Sequence, residues 1–154
     1  MNSSTAAAPV LHIRLFRMED LESVTGLMRQ FGYPTTLSVM KERMETAAGD
    51  NRQCTFVAEV DEQVVGMIGL RQASSYYKQQ ENVTEVTALI VSEPLRGTGL
   101  GRRLMASAEK WAASQDCSQL FLRSGNHVER APAHAFYRHI GFEQDGYRFC
   151  KKLR

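Results

Sequence analysis

Apolar and polar positions alternate from Leu11 to Phe16, the two-residue period of a half-buried strand, and then the period changes. In MEDLESVTGLMRQFG the residues Leu21, Val24, Leu27, Met28 and Phe31 recur at three- and four-residue steps. That spacing predicts an amphipathic helix, stopped by Gly32 and Pro34. A second helix is expected from about Thr36 to Ala48, ending before the turn signal Gly49-Asp50-Asn51. CTFVAEV, a turn at Asp61-Glu62 and QVVGMIGLRQ then read as a β-hairpin. A polar, tyrosine-bearing loop, RQASSYYKQQEN, leads to the β-branched run NVTEVTALIV, a third consecutive strand.

The helical period returns at Leu100, Leu104, Met105, Ala108, Trp111 and Ala112, which marks a long helix to about Gln115 before QLFLRS resumes a strand. A shorter helix follows. Pro132 suits its first turn, Ala133, Phe136, Tyr137 and Ile140 form its apolar stripe, and Gly141 is its stop. YRFCKKL alternates and is expected to be a final strand. Without internal repeats or a low-complexity linker, these elements describe one α/β domain over residues 10–154 behind a loose tail at 1–9.

Composition narrows the partners. A chain of 154 residues, 43% hydrophobic, is the size of one domain that buries roughly 70% of its unfolded surface. The net charge is +2 with no block of like charge, so neither a nucleic-acid stripe nor a membrane-docking tail is expected. Cys54, Cys117 and Cys150 are odd in number and lack a CxxC spacing, which favours a reducing compartment. The segment MNSSTAAAPV has small residues like those of a cleavage site, but no basic start and no apolar core. No run approaches the roughly 20 apolar residues of a membrane span. A cytoplasmic protein is expected.

The unusual stretch is VSEPLRGTGLGRR, residues 91–103, where three glycines and three arginines follow directly on an apolar strand. A helix N-terminus carries unpaired N–H groups and partial positive charge, and glycines let an anion approach the backbone. Arg96, Arg102 and Arg103 strengthen that reading, although a left-handed glycine turn with solvated arginines has the same pattern. No Lys-Ser/Thr follows the last glycine, and GTGLG lacks the GxGxxG spacing, so two familiar phosphate cradles are excluded.

Arg96-Gly97-Thr98-Gly99-Leu100-Gly101, between the end of the strand and the start of the helix, resembles the R/Q-x-x-G-x-G/A signature of the GNAT family of N-acetyltransferases. VVGMIGL and AFYRHIGF, which is similar to the FYxxxGF box of that family, extend the resemblance over nearly the whole chain. VVGMIGL, HAFY and YRFCKKL are most similar to small-molecule members, aminoalkylphosphonate N-acetyltransferases among them. The resemblance implies a GNAT-like α/β fold, with a mixed, mostly antiparallel sheet of about six to seven strands and about four helices. It also implies acetyl-CoA as co-substrate. Leu89, Ile90 and Val91 would contact the pantetheine, and Arg96, Gly97, Thr98, Gly99, Leu100, Gly101 and Arg102 would hold the pyrophosphate. Family members carry a cofactor-contacting asparagine seven or eight residues before the tyrosine of the box. Asn126 stands eleven before Tyr137, so the loop is routed differently, and Arg130 is an alternative contact.

Acetyl transfer needs a neutral amine, whereas an alkylammonium of pKa about 10 is protonated at neutral pH. Glu85 lies in an otherwise apolar strand, on the same face as Thr87 and Leu89 if alternation holds. It is the candidate base by resemblance, or else a strand-end carboxylate. Tyr137 takes the position of the family's general acid, where spacing alone would make it a core aromatic. Tyr33, Tyr76 and Tyr77 lie in loops that could line an acceptor pocket or face solvent, and Arg123 or Arg148 could meet an acidic acceptor.

The four histidines form no ligand spacing, so no metal is expected. The function expected is direct acetyl transfer to a small primary amine. Alternatives are a peptide acceptor and a non-catalytic acyl-CoA sensor. The resemblance makes a homodimer an open expectation.

Overall fold

Leu11–Leu15 forms β1, and after a 3-10 turn at Met18–Asp20 the chain enters α1 (Leu21–Gln30) and α2 (Leu37–Ala48). Strands β2 (Gln53–Val60), β3 (Gln63–Ser75) and β4 (Lys78–Val91) follow, then α3 (Leu100–Ser114), β5 (Cys117–Leu122) and α4 (Ala131–His139). This computed structural model describes residues 10–75, 78–123, 131–146 and 149–153, with 74, 75 and 78–81 described by backbone alone. The described chain divides into two compact units, Met1–Leu122, which holds the sheet and α1 to α3, and Arg123–Arg154, which holds α4. Among the described residues no helix is long and apolar enough to cross a membrane.

The sheet runs β1-β2-β3-β4-β5 in space, antiparallel up to β4 and parallel between β4 and β5. A parallel neighbour needs a crossover, which α3 supplies. Five described strands correct the expected six to seven. YRFCKKL is the main source of the difference: residues 149–153 lie outside any strand, with Phe149 92% and Leu153 86% exposed. Alternation creates two faces, but a strand also needs a neighbour for its N–H and C=O groups. Among the described residues none pairs with this segment. Conversely, β3 and β4 run into the stretch expected to be a loop, because pairing between backbones continues where the side chains turn polar.

The two faces of the sheet have different covers. Val57, Met67 and Ile90 pack with Val24 and Leu27 of α1 and Met40 and Met44 of α2 in one cluster. Residues one step along face the other way, and a Cβ on Gly66 would come within 3.2 Å of Leu100 and Leu104 on α3. Gly66 and its partner Ala58 therefore let α3 settle close to the sheet, which fixes the position of the helix start. At the end of α1, Gly32 adopts φ +103°. Its N–H and that of Tyr33 close onto the carbonyls of Arg29 and Met28, a Schellman stop. Thr36 caps α2 by accepting from the Val39 N–H at 3.1 Å.

A buried charge cluster ties β1 to α1. Both guanidinium nitrogens of Arg14 donate to Asp20, each at 2.8 Å, and Glu59 stands 3.5 Å from one of them. The Arg17 N–H adds a further bond to the same carboxylate. The Arg14 hydrogen bonds hold the Asp20 carboxyl below its ordinary value of 3.8, against the opposing effect of burial. A carboxyl lowered in this way contributes stability that is complete above the unfolded value and disappears as pH falls through the folded one. Asp20→Asn is expected to cost about 3 kcal/mol at neutral pH, because Arg14 would lose its charged partner in a buried setting. The variant should also show a flatter acid limb than the parent. Urea unfolding between pH 2 and 7 checks both, with pH values set by the experimenter around the carboxylate range.

The β2–β3 hairpin turns through Asp61 at φ +50° and Glu62 at φ +66°, so both central residues are left-handed. That is the type I′ geometry, for which Asn-Gly is the favourable pair. Relief of the left-handed penalty on Glu62 should make Glu62→Gly more stable by about 1 kcal/mol. The expected observation is a higher urea midpoint at unchanged m-value.

Candidate active site

Strand β4 is the spine of the candidate site. Along Asn82–Val86 it has neighbours on both sides, β3 and β5, and the last β5 partnership is Val86 with Leu122. From Thr87 to Val91 it keeps β3, but among the described residues no strand pairs with its other edge. Among the described residues the sheet therefore splits at Glu85 and Val86, and the unpaired edge of β4 leads to the glycine turn. An acyclic amide chain could pair with such an edge as a further strand.

At the split, β4 carries one extra residue. Ala88 pairs with Gly69 and Val86 with Leu70, so Thr87 is a bulge. A Cβ on Gly69 would meet the Thr87 hydroxyl oxygen at 2.7 Å, which explains glycine at that position of β3. The bulge changes the expected alternation. Glu85 is on the face covered farther along by α1 and α2, but Leu89 pairs with Ile68 and lies on the α3 face. Glu85 and Leu89 are thus on opposite sides, a correction to simple counting.

Glu85 is buried in this first unit and bonds to Arg71 of β3, whose Nη2 donates to Oε1 at 2.6 Å. Its register partner on β5 is Phe121. Arg71 is the residue that sequence reasoning passed over. Without the bulge the hairpin register would place it opposite Val86, and no local signal in the chain reveals the extra residue.

The turn beyond β4 has the geometry of an anion cradle. Gly97 and Gly99 adopt φ +81° and +90°, and a Cβ on either would enter open space. Gly99 is the N-cap of α3, and its carbonyl takes the Arg103 N–H at 3.1 Å. Among the described residues the backbone N–H groups from Gly97 to Arg102 have no hydrogen-bond partner. The turn is braced from behind: the Thr98 hydroxyl donates to the Leu95 carbonyl at 2.6 Å, and Arg96 Nε donates to the Val91 carbonyl at 3.2 Å. The first turn of α3 contains no acidic residue, while Arg102 and Arg103 there are exposed. Two cations at a positive helix end oppose the dipole by roughly a few tenths of a kcal/mol each, which an anion would offset.

Tyr137 belongs to the second unit. It lies on α4, half-buried, with Phe136 and Phe142 edge-on at 5.8 and 6.0 Å. Gly141 at φ +102° ends the helix, with its N–H on Arg138 and the Phe142 N–H on Tyr137. Tyr33, in the first unit, is exposed and stacks on Phe31 at 5.5 Å. Tyr76, Tyr77, Asn126, Arg130 and Arg148 lie outside the described residues.

The cysteines are all free thiols, and burial pushes Cys54 up to about 11, so it stays protonated. Among the described residues no group of three or more His, Cys, Asp or Glu could hold a metal ion.

The chain matches the model of the acetyltransferase (GNAT) family over residues 19–142. It is 32% identical over 148 residues to the aminoalkylphosphonate N-acetyltransferase of Salmonella typhimurium, covering 94% of this chain and 93% of the relative. It is 29% identical over 106 residues to an aminoglycoside N(6')-acetyltransferase type 1 of Stenotrophomonas maltophilia, covering 67% and 68%. Among solved structures, an aminoglycoside N-acetyltransferase in complex with CoA superposes with a TM-score of 0.84 at 17% identity, covering 96% of this chain and 98% of that one. With its glycine turn, split sheet and helix arrangement accounted for, the chain belongs to the GNAT family and is an N-acetyltransferase.

Proposed function

We propose that the protein transfers the acetyl group of acetyl-CoA directly to a primary amine of a small molecule. The observation that carries this reading is the continuity of two features among the described residues: an edge of β4, Thr87–Val91, with no strand partner runs into a turn whose backbone N–H groups are unpaired. An elongated ligand with amide groups along its arm and a pyrophosphate at its far end suits both features together. In this reading the turn from Arg96 to Arg102 takes the pyrophosphate and the end of β4 takes the pantetheine. The similarity to small-molecule acetyltransferases supports a small acceptor. Three free cysteines suit a reducing, cytoplasmic setting.

The thioester supplies an acetyl carbon open to attack. Glu85, at the split, receives a proton from the acceptor ammonium, directly or through water, so that the nitrogen lone pair becomes available. The C–N bond forms and the C–S bond breaks. Tyr137 gives its phenolic proton to the departing sulfur in this assignment, and the second proton that the nitrogen loses as the amide forms restores the phenol through solvent. No cysteine is needed, because direct attack requires no acyl-enzyme.

Thiol release from acetyl-CoA against a panel of aminoalkylphosphonates, amino sugars, polyamines, amino acids and peptides tests the whole reading. Transfer to small amines is the expected result; binding of CoA with no transfer to any amine would leave only a sensor. Glu85→Gln should lower kcat/KM by about 100-fold or more, most strongly toward acidic pH, with the KM for acetyl-CoA nearly intact. Tyr137→Phe should lower kcat, and full retention would remove the phenol from the mechanism. Gly99→Val places a β-branched side chain at a left-handed position beside the cradle. It should raise the KM for acetyl-CoA about tenfold or more, while circular dichroism still reports a folded protein.

A further inference from the structure

Between the end of β4 and the glycine turn lies a short stretch in which every main-chain donor is used. The Ser92 N–H goes to the Val65 carbonyl of β3 at 2.7 Å. A 3-10 turn at Glu93–Leu95 follows, in which the Leu95 N–H bonds to Ser92 at 2.9 Å and the Arg96 N–H to Glu93 at 3.2 Å. Pro94 has no N–H to satisfy. The remaining donor, the Glu93 N–H, stands at the open start of that turn, where a helical turn has no carbonyl of its own to offer. It donates to the side-chain Oε1 of Gln30, the last residue of α1, at 3.3 Å and across 63 positions of sequence. From Gly97 to Arg102 the balance reverses, and among the described residues no N–H is bonded.

Glu93 is thus the middle of a relay. Its N–H is held by Gln30, its carbonyl takes the N–H of Arg96 where the glycine turn begins, and the Thr98 hydroxyl ties that turn back to the Leu95 carbonyl. A rotation of the 3-10 turn would therefore swing the open donors that follow it. Two anchors oppose such a rotation, the Val65 carbonyl on the sheet and the Gln30 carboxamide on the helical cover. Among the described residues Gln30 is the only side chain of another helix or strand that bonds to residues 92–96. It is firmly placed, because α1 is seated in the core through Val24 and Leu27 and is tied at its end by Arg29 Nε on the Thr35 carbonyl at 3.0 Å. Gln30 and Glu93 are both exposed, so water replaces the bond at little cost to the fold.

We infer that Gln30 is a positioning residue for the cofactor: its carboxamide, acting through the main chain of Glu93, sets the direction in which the N–H groups of the glycine turn face the pyrophosphate. The inference rests on the assignment of that turn to acetyl-CoA and adds a residue from a distant helix to it. Donors aimed in advance lose less freedom when the anion binds. Donors turned away from their acceptor make weaker bonds, because hydrogen bonds fall off steeply with angle. The helical period of α1 does not single out position 30, where a glutamine reads as the end of a solvated face.

Two variants separate the acceptor atom from the bulk of the side chain. Gln30→Met keeps an unbranched chain of the same length and removes the acceptor, whereas Gln30→Glu keeps an oxygen there. Calorimetry with CoA at about 0.3 M salt screens the added charge of the glutamate. The Kd should rise about fivefold for Gln30→Met, the effect of about one hydrogen bond, and stay within about twofold of the parent for Gln30→Glu. With any acceptor the parent uses, kcat of Gln30→Met should stay within about twofold and the KM for acetyl-CoA should carry the change. In the protein without ligand, the amide resonances of Gly97 and Gly99 should move in Gln30→Met and return in Gln30→Glu, at an unchanged urea midpoint. An unchanged Kd, stationary glycine amides, a loss in kcat, or a urea midpoint that falls with the affinity overturns the assignment of Gln30 alone. If the parent does not bind CoA, the cofactor reading fails and the assignment of Gln30 fails with it.

Discussion

The contact between Thr87 and Gly69 is the constraint on which the candidate site depends. One extra residue on β4 has to be accommodated, and it fits because β3 has no Cβ opposite it. Three consequences follow from that local event. Arg71 comes into register with Glu85 instead of Val86, Leu89 moves to the α3 face, and β4 loses its alignment with β5 at the point where their pairing ends. A side chain at position 69 would press on the bulge and so on all three. Bulges concentrate where a sheet must redirect a side chain or stop pairing, and both needs coincide here.

The two charged features solve different problems. The glycine turn exposes backbone donors and concentrates positive charge without an acidic neighbour in the first turn of α3. Such a place is favourable for an anion held by main chain, and it tolerates little change because left-handed backbone and open space are both required. The Arg71–Glu85 pair instead sets a half-exposed guanidinium against a buried carboxylate. A lone buried carboxylate would be costly, and the arginine offsets that cost. Away from the split, Arg14 and Asp20 meet the same need with two parallel hydrogen bonds.

What the sequence made legible was whatever depends on neighbours along the chain. The helical stripes of α1 and α3, the span of α2, the hairpin turn at Asp61-Glu62 and the glycines before α3 all have local causes, and the structure has them within a residue or two of their expected places. Register is different, because it is a relation between strands. Alternation put Glu85 and Leu89 on one face, and only the pairing with β3 shows that Thr87 intervenes. The same limit explains YRFCKKL, whose alternation satisfies the period of a strand while residues 149–153 have no described partner. The two glycines of VVGMIGL were legible as a motif but not as causes. Gly66 admits α3 and Gly69 admits the bulge, and neither partner is near in sequence.

The FYxxxGF box has the same double character. From Tyr137 to Phe142 its spacing is that of a Schellman stop: Gly141 is left-handed, the Gly141 N–H reaches Arg138, and the Phe142 N–H reaches Tyr137. The accompanying apolar contact is the edge-on pair of Phe142 and Tyr137. Helix termination alone therefore accounts for the glycine and the second phenylalanine, and for an aromatic ring at Tyr137, but not for its hydroxyl. A phenylalanine would satisfy every contact the ring makes in its own unit. Among the described residues no hydrogen bond to that hydroxyl helps to end the helix, so the stop asks only for the ring.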